Sequence, residues 1–400
     1  MRIGFLFNHD QVHQVAHSLP IALALAEART GAEIVLATTN IRLQAEVTRL
    51  CGKTLGDGGV SLHPLTLNRH RSQFLARVAA DLIPASKLLI YSDNLDFFRS
   101  LDMLVVAEKT SLVLKTRYGL DRLKIVHTRH GAGDRAIGFD PASARFDHVL
   151  VSGNKIRDRL IGEAGVARER ISVIGYPKFD LHDAVRTHAL LDDGRPVVLY
   201  NPHVSPHLSS WFRMGRQILD WFAEHDAYQL IFAPHVMLYE RKYVVTIDRF
   251  RVDQPGRIEE RYLRAPNIHI DLGSRASTTM AYTNRADIYL GDASSQVYEF
   301  LVRPRPCVFV DAHGTDWPGD PNFAHWTAGP VIRDVAGLGA ALDQARVEHV
   351  ARYRSVQERL FDYSFDLTDT PSSIRAARAV AGLAGLTWPA DPPHAARAYG

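Results

Sequence analysis

The sequence has little cysteine and no long hydrophobic run. Its two cysteines, Cys51 and Cys307, lie far apart and form no CxxC pair. This predicts buried thiols in a reducing compartment rather than a disulfide framework. The apolar runs are strand-length, far short of the ~20 residues that span a bilayer. The N-terminus also lacks the basic start of a secretory signal. A cytoplasmic protein is therefore expected, with peripheral association at the inner face of the membrane left open.

Several signatures of common enzyme classes are also missing. No GxxxxGK[ST], GxSxG or HExxH motif occurs, and no Asp-x-Asp pair follows a predicted strand. These absences argue against a P-loop NTPase, a serine hydrolase of that class and a metal-dependent sugar transferase. The 47 basic and 44 acidic residues leave a net charge of only +3, which does not favour nucleic-acid binding. We expect neither a metal nor a cofactor.

What the sequence does contain is a long alternation of apolar strands and amphipathic helices. Such alternation predicts parallel sheets covered by helices on both faces, and 400 residues are enough for two domains. The predicted strands of the first series are residues 3–7, 33–37, 61–64, 88–91, 103–106, 124–127, 148–151 and 171–174. Those of the second series are residues 197–200, 229–233, 268–271, 288–291 and 307–310.

A turn-rich stretch at residues 191–196 separates the two series and reads as a linker. We predict an N-terminal Rossmann-like acceptor domain at 1–185 and a C-terminal Rossmann-like nucleotide-donor domain at 186–365. At 366–400 we expect a helix that packs back toward the first domain, followed by a tail. Ligands of open α/β sheets bind beyond the carboxyl ends of strands. The predicted fold class is two doubly wound domains facing across a cleft, a GT-B-like arrangement.

The most informative motif is Gly291-Asp-Ala-Ser-Ser295, at the end of a predicted strand and the start of a helix. Small residues allow close approach of a ligand, and helix-start N–H groups attract anions. We predict that Asp292, Ser294 and Ser295 bind a donor diphosphate and that Glu299 accepts hydrogen bonds from ribose hydroxyls. The alternative is that one of the serines only caps a structural helix.

Histidines supply the predicted catalytic groups. His130 stands in a loop with Gly131 and Asp134 after a predicted strand, where a general base would face the cleft. The alternative is a loop histidine bonded to backbone. His203 and His235 follow prolines at two further strand ends and are expected to contact phosphate or to act as an acid. A zinc site formed by His203, His207 and His235 is disfavoured, because no acidic or thiol partner has ligand spacing.

A last motif, Gly175-Tyr-Pro-Lys-Phe-Asp180, ends the first predicted domain, and its Lys178 could reach the cleft. It could equally be only a turn before the linker.

In this order the motifs resemble the CDP-glycerol glycerophosphotransferase family of teichoic acid and capsule polymerases, over about residues 125–312. The matching segments are His130-Gly131, Gly175-Tyr-Pro-Lys-Phe-Asp180, Tyr200-Asn-Pro-His203, Ala233-Pro-His235 and Asp292-Ala-Ser-Ser-Gln-Val-Tyr-Glu-Phe300. The chain departs from the family at the Lys-x-His-Pro element, where the basic residue is missing before Pro234. Arg275, His203 or His207 would then have to bind the donor phosphate.

The resemblance implies metal-independent attack by an acceptor hydroxyl on the β-phosphate of a CDP-alcohol. His130 would take the acceptor proton, His235 would stabilise or protonate the leaving group, and Ser294 and Ser295 would hold it. The expected partners are a nucleotide-activated donor and a glycan or lipid-linked acceptor, with no nucleic acid. Three alternatives stay open: a UDP- or GDP-sugar glycosyltransferase, a UDP-sugar 2-epimerase, which the lack of an acidic cluster disfavours, and a non-catalytic nucleotide-binding relative.

Overall fold

The computed structural model describes residues 1–9, 11–57, 59–67, 83–129, 131–135, 138–181, 193–240, 242–246 and 251–389. Its contacts divide the chain into two compact units. The first unit comprises the described parts of 1–131, 137–182 and 363–400, and the second those of 132–136 and 183–362. The chain therefore contributes a short early segment, residues 132–135, to the second unit. The linker predicted at 191–196 is described only from residue 193, and most of the predicted tail lies outside the described residues.

A parallel sheet forms the middle of the first unit. Its described strands are β1 Arg2–Phe7, β2 Glu33–Thr38, β3 Val60–Pro64, β4 Met103–Val106, β5 Lys124–Thr128, β6 His148–Val151 and β7 Ile171–Val173. They lie in the order β3-β2-β1-β4-β5-β6-β7, so the direction of winding reverses between β1 and β4. Alternate residues of β1 serve two cores, one on each face: Phe5 and Phe7 pack on one side and Leu6 on the other.

Helices cover both faces of this sheet. The described α-helices of the first unit are Val15–Glu27, Ile41–Cys51, Thr54–Asp57, Ile83–Asp93, Leu95–Arg99, Val113–Thr116, Asn154–Gly162 and Ser372–Leu383. Short 3-10 turns are Val12–Gln14, Lys109–Leu112, Pro141–Arg145, Arg168–Arg170 and Pro177–Asp180. The strand predicted at residues 88–91 is wrong, because these residues belong to helix Ile83–Asp93. Leu88, Tyr91 and Leu95 recur at helical spacing and pack on one core, which a four-residue apolar run does not reveal.

The C-terminal helix Ser372–Leu383 completes the core of the first unit. It packs on helix Val15–Glu27, and its alanines and Val380 are buried in the same cluster as Phe5. The motif at residues 175–180 forms hydrogen bonds with the first turn of this helix. The Tyr176 N–H donates to Ser372 Oγ at 2.9 Å, and Asp180 Oδ2 accepts from the Ser373 N–H at 2.6 Å. This part of the motif therefore anchors a helix start.

The second unit has its own parallel sheet. Its strands are β8 Val197–Asn201, β9 Gln229–Phe232, β12 Ile268–Ile270, β13 Ile288–Gly291, β14 Cys307–Val310 and β15 Val331–Ile332, and β10 Val244–Thr246 pairs antiparallel with β11 Arg251–Asp253. The parallel strands lie in the order β12-β9-β8-β13-β14-β15. The winding therefore reverses between β8 and β13, and a sheet of this kind binds ligands beyond the strand ends at that point.

Helices follow the strands of the second sheet as well. The described ones are Arg216–Glu224, Met237–Glu240, Glu260–Arg264, Arg275–Thr278, Ala281–Arg285, Gln296–Phe300, Leu338–Val347 and Arg354–Ser364, with a 3-10 segment at Pro321–Ala328. π-helical turns at Trp211–Gly215 and His349–Tyr353 lead into two of them. The predicted α/β fold class with two doubly wound Rossmann-like units is confirmed. In the part of the chain that the structure describes, no helix is both long and apolar enough to cross a bilayer.

Candidate functional site

The candidate site is built on the winding reversal of the second sheet, and Asp292 fixes its shape. Asp292 directly follows β13 and is fully buried. Its Oδ1 accepts from the N–H groups of His203 (2.8 Å) and Ala293 (2.6 Å), and its Oδ2 accepts from the N–H (2.6 Å) and Oγ (2.8 Å) of Ser210. Burial raises the pKa of Asp292, and these hydrogen bonds act in the opposite direction. Asp292 thus ties the loop after β8 to the end of β13. Its direct contact with a donor stays a prediction.

The two serines that follow have different environments. Ser294 is buried, and its Oγ donates to Asn201 Oδ1 at 2.5 Å. The Nδ2 of Asn201 in turn donates to the Ala233 carbonyl at 2.6 Å, which joins the ends of β8, β9 and β13. Ser295 is exposed, and its Oγ makes no hydrogen bond among the described residues. Ser295 is therefore the serine whose hydroxyl can reach a ligand directly.

The histidine rings of the two prolyl-histidine loops are oriented in the same way. The Nδ1 of His203 accepts from the Ser205 N–H at 2.9 Å, and the Nδ1 of His235 accepts from the Met237 N–H at 3.3 Å. A neutral imidazole with an accepting Nδ1 carries its proton on Nε2. The ring centroids lie 5.9 Å apart. The two loops therefore place two Nε2–H donors close together at the ends of β8 and β9.

Burial keeps these rings neutral at ordinary pH. It lowers the pKa of His235 to about 4, with the positive charge of Arg135 as a second cause. Burial also holds the pKa of His203 well below its usual value, and Arg135 and His235 add to this effect. A neutral ring with a low pKa is a hydrogen-bond donor rather than a proton donor. This favours phosphate binding over acid catalysis at His235.

Arg135 supplies a positive charge that sequence reasoning missed. Its Nη1 lies 3.2 Å from His203 Nε2, so groups that both carry hydrogen-bond donors face the same space. An anion placed there would accept from both. With the basic residue before Pro234 missing, the sequence predicts that Arg275, His203 or His207 binds the donor phosphate. The structure adds a guanidinium beside His203 from segment 132–135, a placement that only the folded chain reveals.

A buried pair holds that segment in the second unit. Asp134 Oδ2 accepts from His325 Nδ1 at 2.8 Å and from the Tyr298 hydroxyl at 2.6 Å. On the other edge of the ring, His325 Nε2 lies 2.8 Å from the Asp292 carbonyl, which also accepts from Trp326 Nε1 at 2.9 Å. Both ring nitrogens of His325 thus face acceptors. The pair of His325 and Asp134 links the segment to the backbone after β13.

A close backbone approach completes the site. A Cβ added to Gly133 would lie 3.1 Å from the Cβ of Ser295. Contacts that short require the neighbour to move, so glycine lets the segment lie directly against the serine turn. Gly133 and the Asp134 pair together set the position of Arg135.

The remaining predicted residues lie elsewhere or are not described. His130 lies outside the described residues. Gly131, with a positive φ of 80°, and Lys178, buried in the 3-10 turn Pro177–Asp180, both belong to the first unit. Arg275 is exposed at the start of helix Arg275–Thr278 of the second unit. Glu299 is 6% exposed. It contributes to raising the pKa of Tyr289, an effect that burial and Asp292 cause in larger part. Its ribose contact stays a prediction.

The site thus unites Asp134, His203, His235, Asp292, Ser294 and Ser295 with two residues not predicted, Arg135 and His325. Across the described ranges, no three His, Cys, Asp or Glu side chains are grouped as metal ligands. What the geometry offers is a set of donors around a small-residue turn.

Comparison with known proteins places the fold but not the family. No family model matches the sequence, and no curated protein does. Solved structures do match. S. aureus MnaA with UDP is 12% identical at a TM-score of 0.61, over 96% of this chain and 97% of its own. The wall teichoic acid polymerase TagF is 16% identical at 0.58, over 96% and 87%. A UDP-N-acetylglucosamine 2-epimerase is 12% identical at 0.56, over 96% of each. At these identities the likeness establishes a shared GT-B-like fold.

Proposed function

We propose that the second unit binds the diphosphate of a nucleotide-activated donor. The observation that carries this proposal is the convergence of Arg135, the Nε2–H edge of His203 and the Ser295 turn at the winding reversal of the sheet. Protein N–H and guanidinium groups that surround one space suit a phosphate anion. The buried carboxylates of Asp134 and Asp292 accept hydrogen bonds from the protein itself.

The reaction we propose is transfer of glycerol phosphate, or of a related polyol phosphate, from a CDP-alcohol to a hydroxyl of a glycan or lipid-linked acceptor. The acceptor oxygen forms a bond to the β-phosphorus, the bond from that phosphorus to the bridging oxygen breaks, and CMP leaves. His130 takes the acceptor proton in this scheme. Arg135, His203 and His235 stabilise the charge on the phosphates, so that catalysis comes mainly from positioning and electrostatics. We place this enzyme in the cytoplasm, acting in cell-envelope polysaccharide synthesis.

Two observations support this choice. The motif order from His130 to Phe300 resembles the CDP-glycerol glycerophosphotransferases. Among the structures that share the fold, one is TagF soaked with CDPG, which is 16% identical at a TM-score of 0.57. The low pKa of His235 refines the scheme, since a group with a pKa of about 4 stabilises leaving CMP by a hydrogen bond instead of protonating it.

A second candidate is a UDP-sugar enzyme, either an epimerase or a glycosyltransferase. It is favoured by the match to MnaA, whose structure contains UDP. The same set of donors would hold the diphosphate of UDP, so the base and the reacting group have to separate the two candidates.

Thermal-shift titration of the full chain with CDP, CMP, UDP and GDP tests the proposal. We expect the largest stabilisation with CDP, because a ligand that binds only the folded state stabilises it more the lower its Kd is at a given concentration. Preferential stabilisation by UDP or GDP would instead support the second candidate. Release of CMP from CDP-glycerol, measured with and without added acceptor, then tests the reaction. Binding without turnover, unaltered by His130→Ala, would indicate a non-catalytic relative.

A further inference from the structure

The first sheet has a winding reversal of its own, between β1 and β4. Asn8 and His9 directly follow β1, and Glu108 comes shortly after β4. In doubly wound sheets this is the place where ligands bind. Neither the resemblance nor the donor site described above uses these side chains.

Asn8 carries the observation that points to a ligand. It is 1% exposed, and its Nδ2 donates to the hydroxyl of buried Tyr91 at 2.6 Å. Its Oδ1 is buried and has no hydrogen-bond partner among the described residues. Rotating the amide by half a turn only exchanges the roles, because the NH2 group would then lack an acceptor. An unsatisfied buried polar atom destabilises the folded protein, and a bound ligand would remove this cost.

The charges around Asn8 narrow the chemistry of that ligand. Glu108 pairs with Lys87 Nζ at 2.7 Å and lies 3.9 Å from His9 Nδ1. Thr110 Oγ1 also donates to Glu108 at 3.3 Å. The Glu108 carboxylate offsets the charge of the Lys87 ammonium group and would repel a phosphate. A cluster that mixes donors and acceptors suits hydroxyl groups, which can both donate and accept.

We propose that Asn8 and His9 bind a neutral, hydroxyl-rich ligand, a sugar or a polyol, at the winding reversal of the first sheet. Glu108 and Lys87 orient His9 and exclude anions. The binding site itself does not depend on the donor assignment. Only its role as the acceptor subsite rests on the proposed function.

Saturation-transfer NMR on the full chain tests this site with three probes: N-acetylglucosamine, glycerol and inorganic phosphate. Saturation is expected to reach N-acetylglucosamine or glycerol and to persist when excess CDP is present. Phosphate is expected not to compete with either neutral probe. Asn8→Ala should weaken the neutral probe at least tenfold, since it removes the amide oxygen that lacks a partner. An absence of transfer to both neutral probes would overturn the proposal, as would a signal that CDP or phosphate displaces.

Two further variants keep the test decisive if Asn8→Ala folds poorly. Tyr91→Phe removes only the hydroxyl that holds Asn8 and should weaken the neutral probe while the ring stays in the core. Asn94→Ala is the matched control, because its Nδ2 donates to the carbonyls of Thr66 (2.9 Å) and Ile90 (2.8 Å). Equal weakening by Asn94→Ala and Tyr91→Phe would reduce Asn8 to a structural role. Sugar binding without CDP binding would contradict the proposed function and would still support this site.

Discussion

The two sheets reverse their winding in the same way but surround that point with different chemistry. Between β8 and β13 the side chains are hydrogen-bond donors around a turn of small residues, with Arg135 as the charge. Between β1 and β4 they mix an amide, an imidazole and the offset pair of Lys87 and Glu108. The shared topology sets where a ligand binds, and the residues beyond the strand ends decide whether it is an anion or a neutral polyol.

The largest effect should come from breaking the pair that holds segment 132–135. Asp134→Ala leaves the His325 ring and the Tyr298 hydroxyl buried without their shared acceptor, and each buried polar group left unpaired costs about 1–3 kcal/mol. We expect that loss in urea unfolding, together with loss of CDP binding in calorimetry. Glu348→Ala is the control. It breaks an exposed pair with Arg352, and such pairs contribute little to stability.

Asp134→Ala also tests the difference between the two sites, because sugar binding near Asn8 should survive this substitution as long as the protein stays folded.

Removal of the guanidinium should weaken the anion site without unfolding it. Arg135→Gln loses a charge-assisted hydrogen bond of about 1.5–3 kcal/mol, which corresponds to roughly a ten- to hundredfold weaker affinity for CDP. Isothermal titration calorimetry measures this change. Arg275→Gln is the matched comparison, since Arg275 is one of the three residues that the sequence predicts for this role. A larger loss from Arg275→Gln would return the phosphate role to helix Arg275–Thr278.

The pH dependence of CDP binding should report on His235. Its folded pKa is about 4, below the ordinary value of 6.5, so the free protein loses stability as the pH falls from 6.5 toward 4. A bound diphosphate favours the protonated ring and raises that pKa. Affinity for CDP should therefore increase severalfold as the pH is lowered from neutral to about 5. His235→Gln should flatten this dependence, and an unchanged slope would place the diphosphate away from His235.

The smallest effect is expected from Gly133→Ala. Its new Cβ would meet Ser295 Cβ at 3.1 Å and push the segment a few tenths of an ångström away from the turn. We expect a two- to fivefold loss of CDP affinity with little change in melting temperature, because the cost of such crowding is about 1 kcal/mol. Gly162→Ala is the control, since a Cβ there meets nothing within 4 Å. Equal affinities in both variants would rule out a role for the close approach.

The features of the fold that depend on local pattern could be predicted from the sequence. Strand-length apolar runs at 288–291 and 307–310 became β13 and β14, and the alternation of elements predicted both sheets. The apolar run at 88–91 was wrongly predicted as a strand, because packing rather than the run itself decides between helix and strand. The partners of Asp134 and Arg135 could not be predicted either. The two residues follow Gly133 in the sequence, but their contacts, His325 and His203, lie 191 and 68 residues away.

Helix Ser372–Leu383 has a consequence for the order in which the chain matures. The core of the first unit contains Ala376, Val380 and Ala384 together with Phe5 and Leu36. On the ribosome, residues 1–181 emerge long before these side chains are made, and domains generally fold as they emerge. The first unit is therefore completed only after the second unit has been translated. Until then, helix Val15–Glu27 lacks its packing partner, helix Ser372–Leu383.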